Sequence, residues 1–323
     1  MKKRLYILFI LFLFPLQIFA YSNKIIPGGE SLGIEIYSDG IYIVGFYPIN
    51  DKYPAKEAGF QIGDIIKEIN GKKITSINSL NSIINEDNNY IFKIKRNDKE
   101  YEINLPIKEE NNIYKTGLYV KNQINGIGTL SYIDPETKIF GALGHEIIET
   151  ASLSKFELKE GSIYKAEVSS IKKSENYQTG EKNANINKND KIGIIELNET
   201  SGIYGKYQEE IPNIDTIEIG KKEEIKKKEA IIRTVIKDNK VEEFKINILR
   251  IEDNLENKNI FFEINDDKLL KETGGIVQGM SGSPIIQDNK LIGVVNYVVI
   301  DDVKTGYGIF IETMLEQGDK LLS

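Results

Sequence analysis

Residues 53–71 read Tyr-Pro-Ala-Lys-Glu-Ala-Gly-Phe-Gln-Ile-Gly-Asp-Ile-Ile-Lys-Glu-Ile-Asn-Gly, and most positions in this stretch favour a particular backbone shape. Pro54 can open a short helix, and Gly59 suits its left-handed cap. Gly63-Asp64 turns the chain into a strand over 65–69, and Asn70-Gly71 is a hairpin turn. The rest of the chain follows the same pattern. From Lys24 onward, short β-branched or aromatic runs such as 41–46, 90–95 and 102–105 lie between Gly, Asn and Asp turn formers. Helices are expected over 79–85 and 311–322, but long 3.6-residue periodicity is absent. The fold class is therefore mainly β.

Nothing covalent reinforces this fold, because the 323 residues contain no cysteine. Burial alone must hold it, and a chain of this length with 40% hydrophobic residues can do so. The net charge of −7 argues against a nucleic-acid partner, which would need a basic footprint. One histidine and no cysteine make a zinc site improbable, and no other cofactor is expected. The first residues form a secretory leader: Met1-Lys-Lys-Arg4, an apolar run over 5–14, Pro15, and Ala20 before Tyr21. The run is well short of the roughly 20 residues that span a bilayer. Cleavage after residue 20 would release an exported protein, periplasmic, cell-envelope-bound or extracellular. Ile18 is bulky for its place, and an uncut leader would instead leave the protein attached to a membrane.

Charged residues cluster at 109–112, the best linker candidate, and at 220–229, which mixes both signs and reads as a solvated turn. Beyond the second cluster, Phe244, Ile246 and Ile248 alternate with polar neighbours as a half-buried strand, and Asp238-Asn239 before it suggests a hairpin. From residue 113 onward the pattern is that of a second, larger β domain.

Two glycine-rich segments carry the candidate chemistry. Gly279-Met-Ser-Gly-Ser-Pro284 sets Ser281 in a tight turn, which exposes a hydroxyl and converges backbone N–H groups where a tetrahedral oxyanion would sit. A serine hydroxyl needs a positioned base, and His145, in Phe140-Gly-Ala-Leu-Gly-His145, is the only imidazole in the chain. A third group should orient that imidazole. Asp266, fifteen residues before Ser281, is one candidate; Asp267, Asp134 and Glu149 are its rivals. Glu146 is disfavoured, since neighbours along a strand face opposite ways.

The 53–71 stretch resembles the PDZ domain, and Leu32, Gly33 and Ile34 look like its peptide-carboxylate loop, beside which an extended peptide would add as a strand. The segment from Phe140 to His145, Gly202-Ile-Tyr-Gly205, and Leu269-Leu-Lys-Glu-Thr-Gly-Gly-Ile-Val-Gln-Gly-Met-Ser-Gly-Ser-Pro-Ile-Ile286 resemble the SpoIVB-type serine peptidases, exported enzymes in which a PDZ domain precedes a chymotrypsin-related domain. Ile26-Pro-Gly-Gly29 and the run from Gly117 to Leu130 are also similar, so the likeness covers about Ile25 to Leu315. It implies a leader over 1–20, a PDZ-like domain over 21–108 and a double β-barrel peptidase domain over 109–323. It also implies Ser281 as nucleophile, His145 as base, Asp266 as its orienting acid, and the N–H groups of Gly279 and Ser281 as the oxyanion hole. Where that family has a small residue and an aspartate after the histidine, this chain has Glu146-Ile-Ile-Glu149.

The function expected is an exported serine endopeptidase acting on a protein or peptide, with a C-terminal or extended segment bound at the PDZ domain. A silent peptide-binding scaffold and a peptidase confined to self-processing are the alternatives. The specificity pocket is expected near 296–300, with Tyr297 facing the substrate.

Overall fold

The computed structural model describes residues 21–322; the leader expected over 1–20 lies outside them. The chain forms two six-stranded antiparallel β-barrels and a PDZ unit. In the first barrel, Leu118–Ile133 pairs with Ser31–Phe46, which pairs with Leu158–Lys172. Glu181–Glu199, Gly202–Tyr207 and Ile139–Ala142 follow in order, and the last returns to Leu118–Ile133. The second barrel runs Lys290–Val298, Pro284–Gln287, Glu229–Val235, Val241–Ile251, Ile260–Ile264, Thr305–Phe310, and closes on Lys290–Val298. Inward-facing residues fill each barrel: Leu32, Ile34, Phe140, Phe156 and Ile195 in the first, Ile232, Phe244, Ile246, Phe262 and Ile285 in the second. Lys24–Pro27 ties the two together, pairing Ile25 with Ile217 and Ile26 with Ile133.

The PDZ unit has its own core of Ile43, Ala55, Phe60, Ile66, Leu80, Phe92 and Leu105. Pro54 opens the helix Pro54–Glu57, and Asn70 and Gly71 take the left-handed angles the hairpin needs. Asp64, fully buried, accepts two hydrogen bonds from Arg96 at 2.6 and 2.7 Å and one from the Gln61 amide. Ser76 caps the second helix, Ile77–Ile83, which begins two residues earlier than the sequence suggested. The charged linker candidate folds as a small hairpin, Glu109–Glu110 with Ile113–Tyr114. At the C-terminus a helix over Ile311–Gly318 passes into a 3-10 turn over Asp319–Leu322.

The sheets do not part at residue 108. Lys24–Pro27 and residues 31–38 belong to the first barrel, while residues 41–46 and 118–121 belong to the PDZ sheet. Two 16-residue strands, Ser31–Phe46 and Leu118–Ile133, therefore run through both units, and the PDZ unit is an insertion between them. A register shift between Tyr37 and Tyr42 marks the crossing. This corrects the peptide-loop expectation for Leu32, Gly33 and Ile34. Gly33 stands between Tyr164 and Ile127, and Ile34 between Ile163 and Gly126, so the backbone there is paired on both sides. A strand flanked by two partners has no amides left for a carboxylate.

Candidate active site

Ser281 follows the helix Asp267–Thr273 in a loop held by both barrels. From the first barrel, Thr129 Oγ1 donates to the Gly279 carbonyl at 2.7 Å, its amide donates to the Ser281 carbonyl, and Ser131 Oγ donates to the Gly282 carbonyl at 2.9 Å. From the second, the Val295 carbonyl accepts from the Gly282 amide at 2.7 Å. The Met280 and Ser283 amides close turns within the loop. Those of Gly279 and Ser281 meet no acceptor among the described residues. A tight turn with two undirected N–H groups beside a serine is what an oxyanion hole requires.

His145 enters this cleft from the end of Ile139–Ala142. Leu143 and Gly144 are both left-handed, with φ of 71° and 73°, and swing the chain toward the second barrel. The approach is close: a Cβ on Gly282 would lie 2.5 Å from the Leu143 nitrogen. The imidazole stacks on Tyr297, with centroids 5.8 Å apart and planes 21° apart. Its Nδ1 lies 2.8 Å from the Glu146 carbonyl oxygen. Only Nδ1–H can donate to a carbonyl, so in the neutral ring Nε2 keeps the lone pair a general base needs. Burial pushes the imidazole below its usual pKa; the Glu146 carbonyl and carboxylate pull the other way.

Ser281 Oγ donates to the Asn296 carbonyl at 3.2 Å rather than to His145. The two groups share one wall, residues 296 and 297, without a direct hydrogen bond. Catalytic contacts in unliganded sites often tighten only when substrate arrives.

The structure does not bring Asp266 to His145. Its carboxylate caps the helix Asp267–Thr273, accepting from the Leu269 amide at 2.9 Å and from the Lys245 amide at 3.2 Å. Asp267 lies in that helix's first turn. Asp134 organises a turn by accepting from Ser22, Glu136 and Thr137, and Glu149 does the same for Ala151 and Ser152. The orienting acceptor is a backbone carbonyl, which no side-chain motif announces. Sequence reasoning also missed Asn198, whose side chain accepts from the Ile147 amide and donates to the Ile147 and Phe156 carbonyls, clamping the segment after His145. It missed Thr129 and Ser131 as well; the alternation Thr-Leu-Ser was their one visible signal, placing both hydroxyls on one strand face. The Tyr297 ring, expected to face the substrate, lies against His145, with Lys258 over it at 5.2 Å.

Among the described residues no group of His, Asp and Glu is arranged to hold a metal ion. Comparison with protein families matches residues 112–315 to SpoIVB peptidase S55 and residues 30–107 to the PDZ domain. Comparison with curated proteins found no match. Among solved structures, the PDZ domain of an SdrC-like protein from Listeria monocytogenes is 20% identical, over 26% of this chain and 90% of that one, with a TM-score of 0.23. The active form of the Rv3671c protease from M. tuberculosis is 12% identical, over 61% of this chain and 74% of that one, with a TM-score of 0.33. The HtrA-type protease AlgW with a decapeptide is 12% identical, over 62% of this chain and 54% of that one, with a TM-score of 0.37.

Proposed function

Because the chain belongs to the SpoIVB peptidase S55 family, we propose that it is an exported serine endopeptidase in which Ser281 attacks the scissile carbonyl and His145 moves the proton. The observation that carries this reading is the pair of unengaged amides, Gly279 and Ser281, beside a hydroxyl and a base-competent imidazole on one wall. On substrate binding, Ser281 Oγ leaves the Asn296 carbonyl for His145 Nε2. The hydroxyl proton passes to Nε2 as the Oγ–carbon bond forms, and the two amides take the oxyanion. His145 then returns the proton to the leaving amine, and water repeats the cycle on the acyl-enzyme. Burial lowers the His145 imidazole below its ordinary 6.5, so acylation should rise with pH through a midpoint below that value.

For the PDZ unit the reading is peptide capture at residues 118–121. Among the described residues these pair on one side only, with residues 42–46, and their strand packs near the helix Ile77–Ile83. An extended peptide can add to such an edge while the helix bounds its side chains.

A fluorophosphonate probe is expected to label the purified protein beginning at Tyr21, and Ser281→Ala to abolish labelling. Labelling that survives the substitution removes Ser281 as nucleophile. Intact mass of protein secreted by expressing cells tests export; a retained Met1 counts against cleavage of the leader. One observation favours the second reading, a silent scaffold: Ser281 Oγ is bonded to a carbonyl, and among the described residues no carboxylate accepts a hydrogen bond from His145. On that reading the wild type binds peptides and is not labelled.

A further inference from the structure

Lys182 is buried, 4% exposed, and among the described residues its ammonium has no carboxylate partner. Its stem passes directly under the nucleophile turn: a Cβ on Gly279 would lie 3.2 Å from both Cβ and Cδ of Lys182. Its backbone is strapped to the same turn, since the Lys182 amide donates to the Gln278 carbonyl at 2.9 Å and the Gln278 amide to the Gly180 carbonyl at 2.8 Å. The head group is fixed by hydroxyls from both barrels, Thr234 Oγ1 at 2.8 Å and Ser31 Oγ at 3.5 Å. An uncompensated cation in a dry site is costly to maintain, and a structural filler at this position would be methionine or leucine.

We propose that Lys182 is a positioning residue for the oxyanion hole: it props the Gly279–Ser281 turn from beneath and, when protonated, holds a positive charge behind the two free amides. The inference rests on Ser281 being the nucleophile. Charge developing on the substrate oxygen is then stabilised by the Gly279 and Ser281 amides and by the field of the ammonium behind them, which little water screens.

The ammonium of Lys182 is held by neutral groups. Its contacts are the hydroxyls of Ser31 and Thr234 and the turn itself. The charged residues adjoining those contacts are Glu30, Glu181 and Arg233, none of which forms an ion pair with it among the described residues. Burial raises Glu30 above the usual carboxylate range, with Arg233 pulling it down. Burial pushes Lys182 down to about 7. A group lowered in this way is charged below about 7 and loses its proton as pH rises through it. His145 must be neutral and Lys182 protonated, so the two ionisations bound a window on the acid side of neutrality.

The test is the second-order rate at which a fluorophosphonate phosphonylates Ser281, with loss of fluoride, measured against pH, with unfolding temperature recorded for each variant. Wild type should show a rising limb from His145 and a falling limb near neutrality. Lys182→Met should be about tenfold slower at the optimum, below the loss for removing a direct oxyanion donor, and should lack the falling limb. Thr234→Val, which removes one partner of the ammonium, should keep the limb but move it to lower pH. A falling limb unmoved in both variants overturns the proposal, even if both are slower. If wild type is not labelled at any pH, the Ser281 reading fails and this inference falls with it.

Discussion

At the scale of single residues, the feature with most mechanistic weight is the carbonyl that holds His145. A carbonyl dipole fixes the tautomer as a carboxylate does, but it stabilises the imidazolium less. Asp266 meanwhile serves as a helix cap with both oxygens engaged. Asn caps helices about as well as Asp, so Asp266→Asn separates the two roles. Its acylation rate is expected to stay within about twofold of wild type, whereas loss of a triad aspartate costs about 10⁴. Asp266→Ala should instead lower stability by about 1 kcal/mol through the lost cap, measurable by denaturant titration. A large rate loss in Asp266→Asn would restore the acid to the mechanism. Ser281 and His145 were legible as candidates because glycine spacing is a local signal. The partner of His145 was not, because a backbone acceptor has no residue type, and Asp266 carries the same letter whether it caps or catalyses.

At the scale of elements, the strands matter more than the helices. Residues 31–34 and 117–120 are both short apolar stretches around a glycine, and their sequence does not show which one closes the PDZ sheet. Pairing decides it: the first is clasped by two neighbours in the barrel, and the second has an open edge. Gly117, with φ of 74°, turns the chain onto that edge, a conformation costly for any β-branched residue. Gly117→Val is expected to weaken binding of an extended or C-terminal peptide at least about fivefold in fluorescence anisotropy, since strain of about 1–3 kcal/mol falls on the groove itself. Unchanged affinity would place the groove elsewhere. The turns around Gly59 and Asn70, by contrast, were readable in full, because each angle there is set by one residue and its neighbour.

At the scale of the whole molecule, this serine peptidase and its PDZ unit share backbone rather than a linker. Their surfaces also lock together: Tyr42 stacks on Phe156 at 5.0 Å, and Glu157 takes both Lys95 at 2.6 Å and Lys67 at 3.4 Å. A fragment of residues 21–108 would lack the strand at 118–121 and leave residues 24–38 without the barrel they pair with. Such a fragment is expected to give collapsed amide dispersion in NMR, while the chain from Tyr21 to the end unfolds in one calorimetric transition. A well-dispersed fragment would show that the PDZ unit does not need its shared strands. The two-barrel architecture could be anticipated from the family resemblance, and the family matches part between residues 107 and 112, but the sharing of strands could not be read, because a strand that changes sheets midway keeps the same alternation throughout.

The shared strand Leu118–Ile133 also spans the distance between the groove edge and the serine turn. Leu118 closes the open groove edge and Thr129, eleven residues on, grips the Gly279 and Ser281 carbonyls; at about 3.3 Å per residue that is some 36 Å of pleated chain. On the proposed reading, the segment that would seat a peptide and the residue that grips the serine turn are points on one continuous strand, with the register shift between the two sheets lying between them.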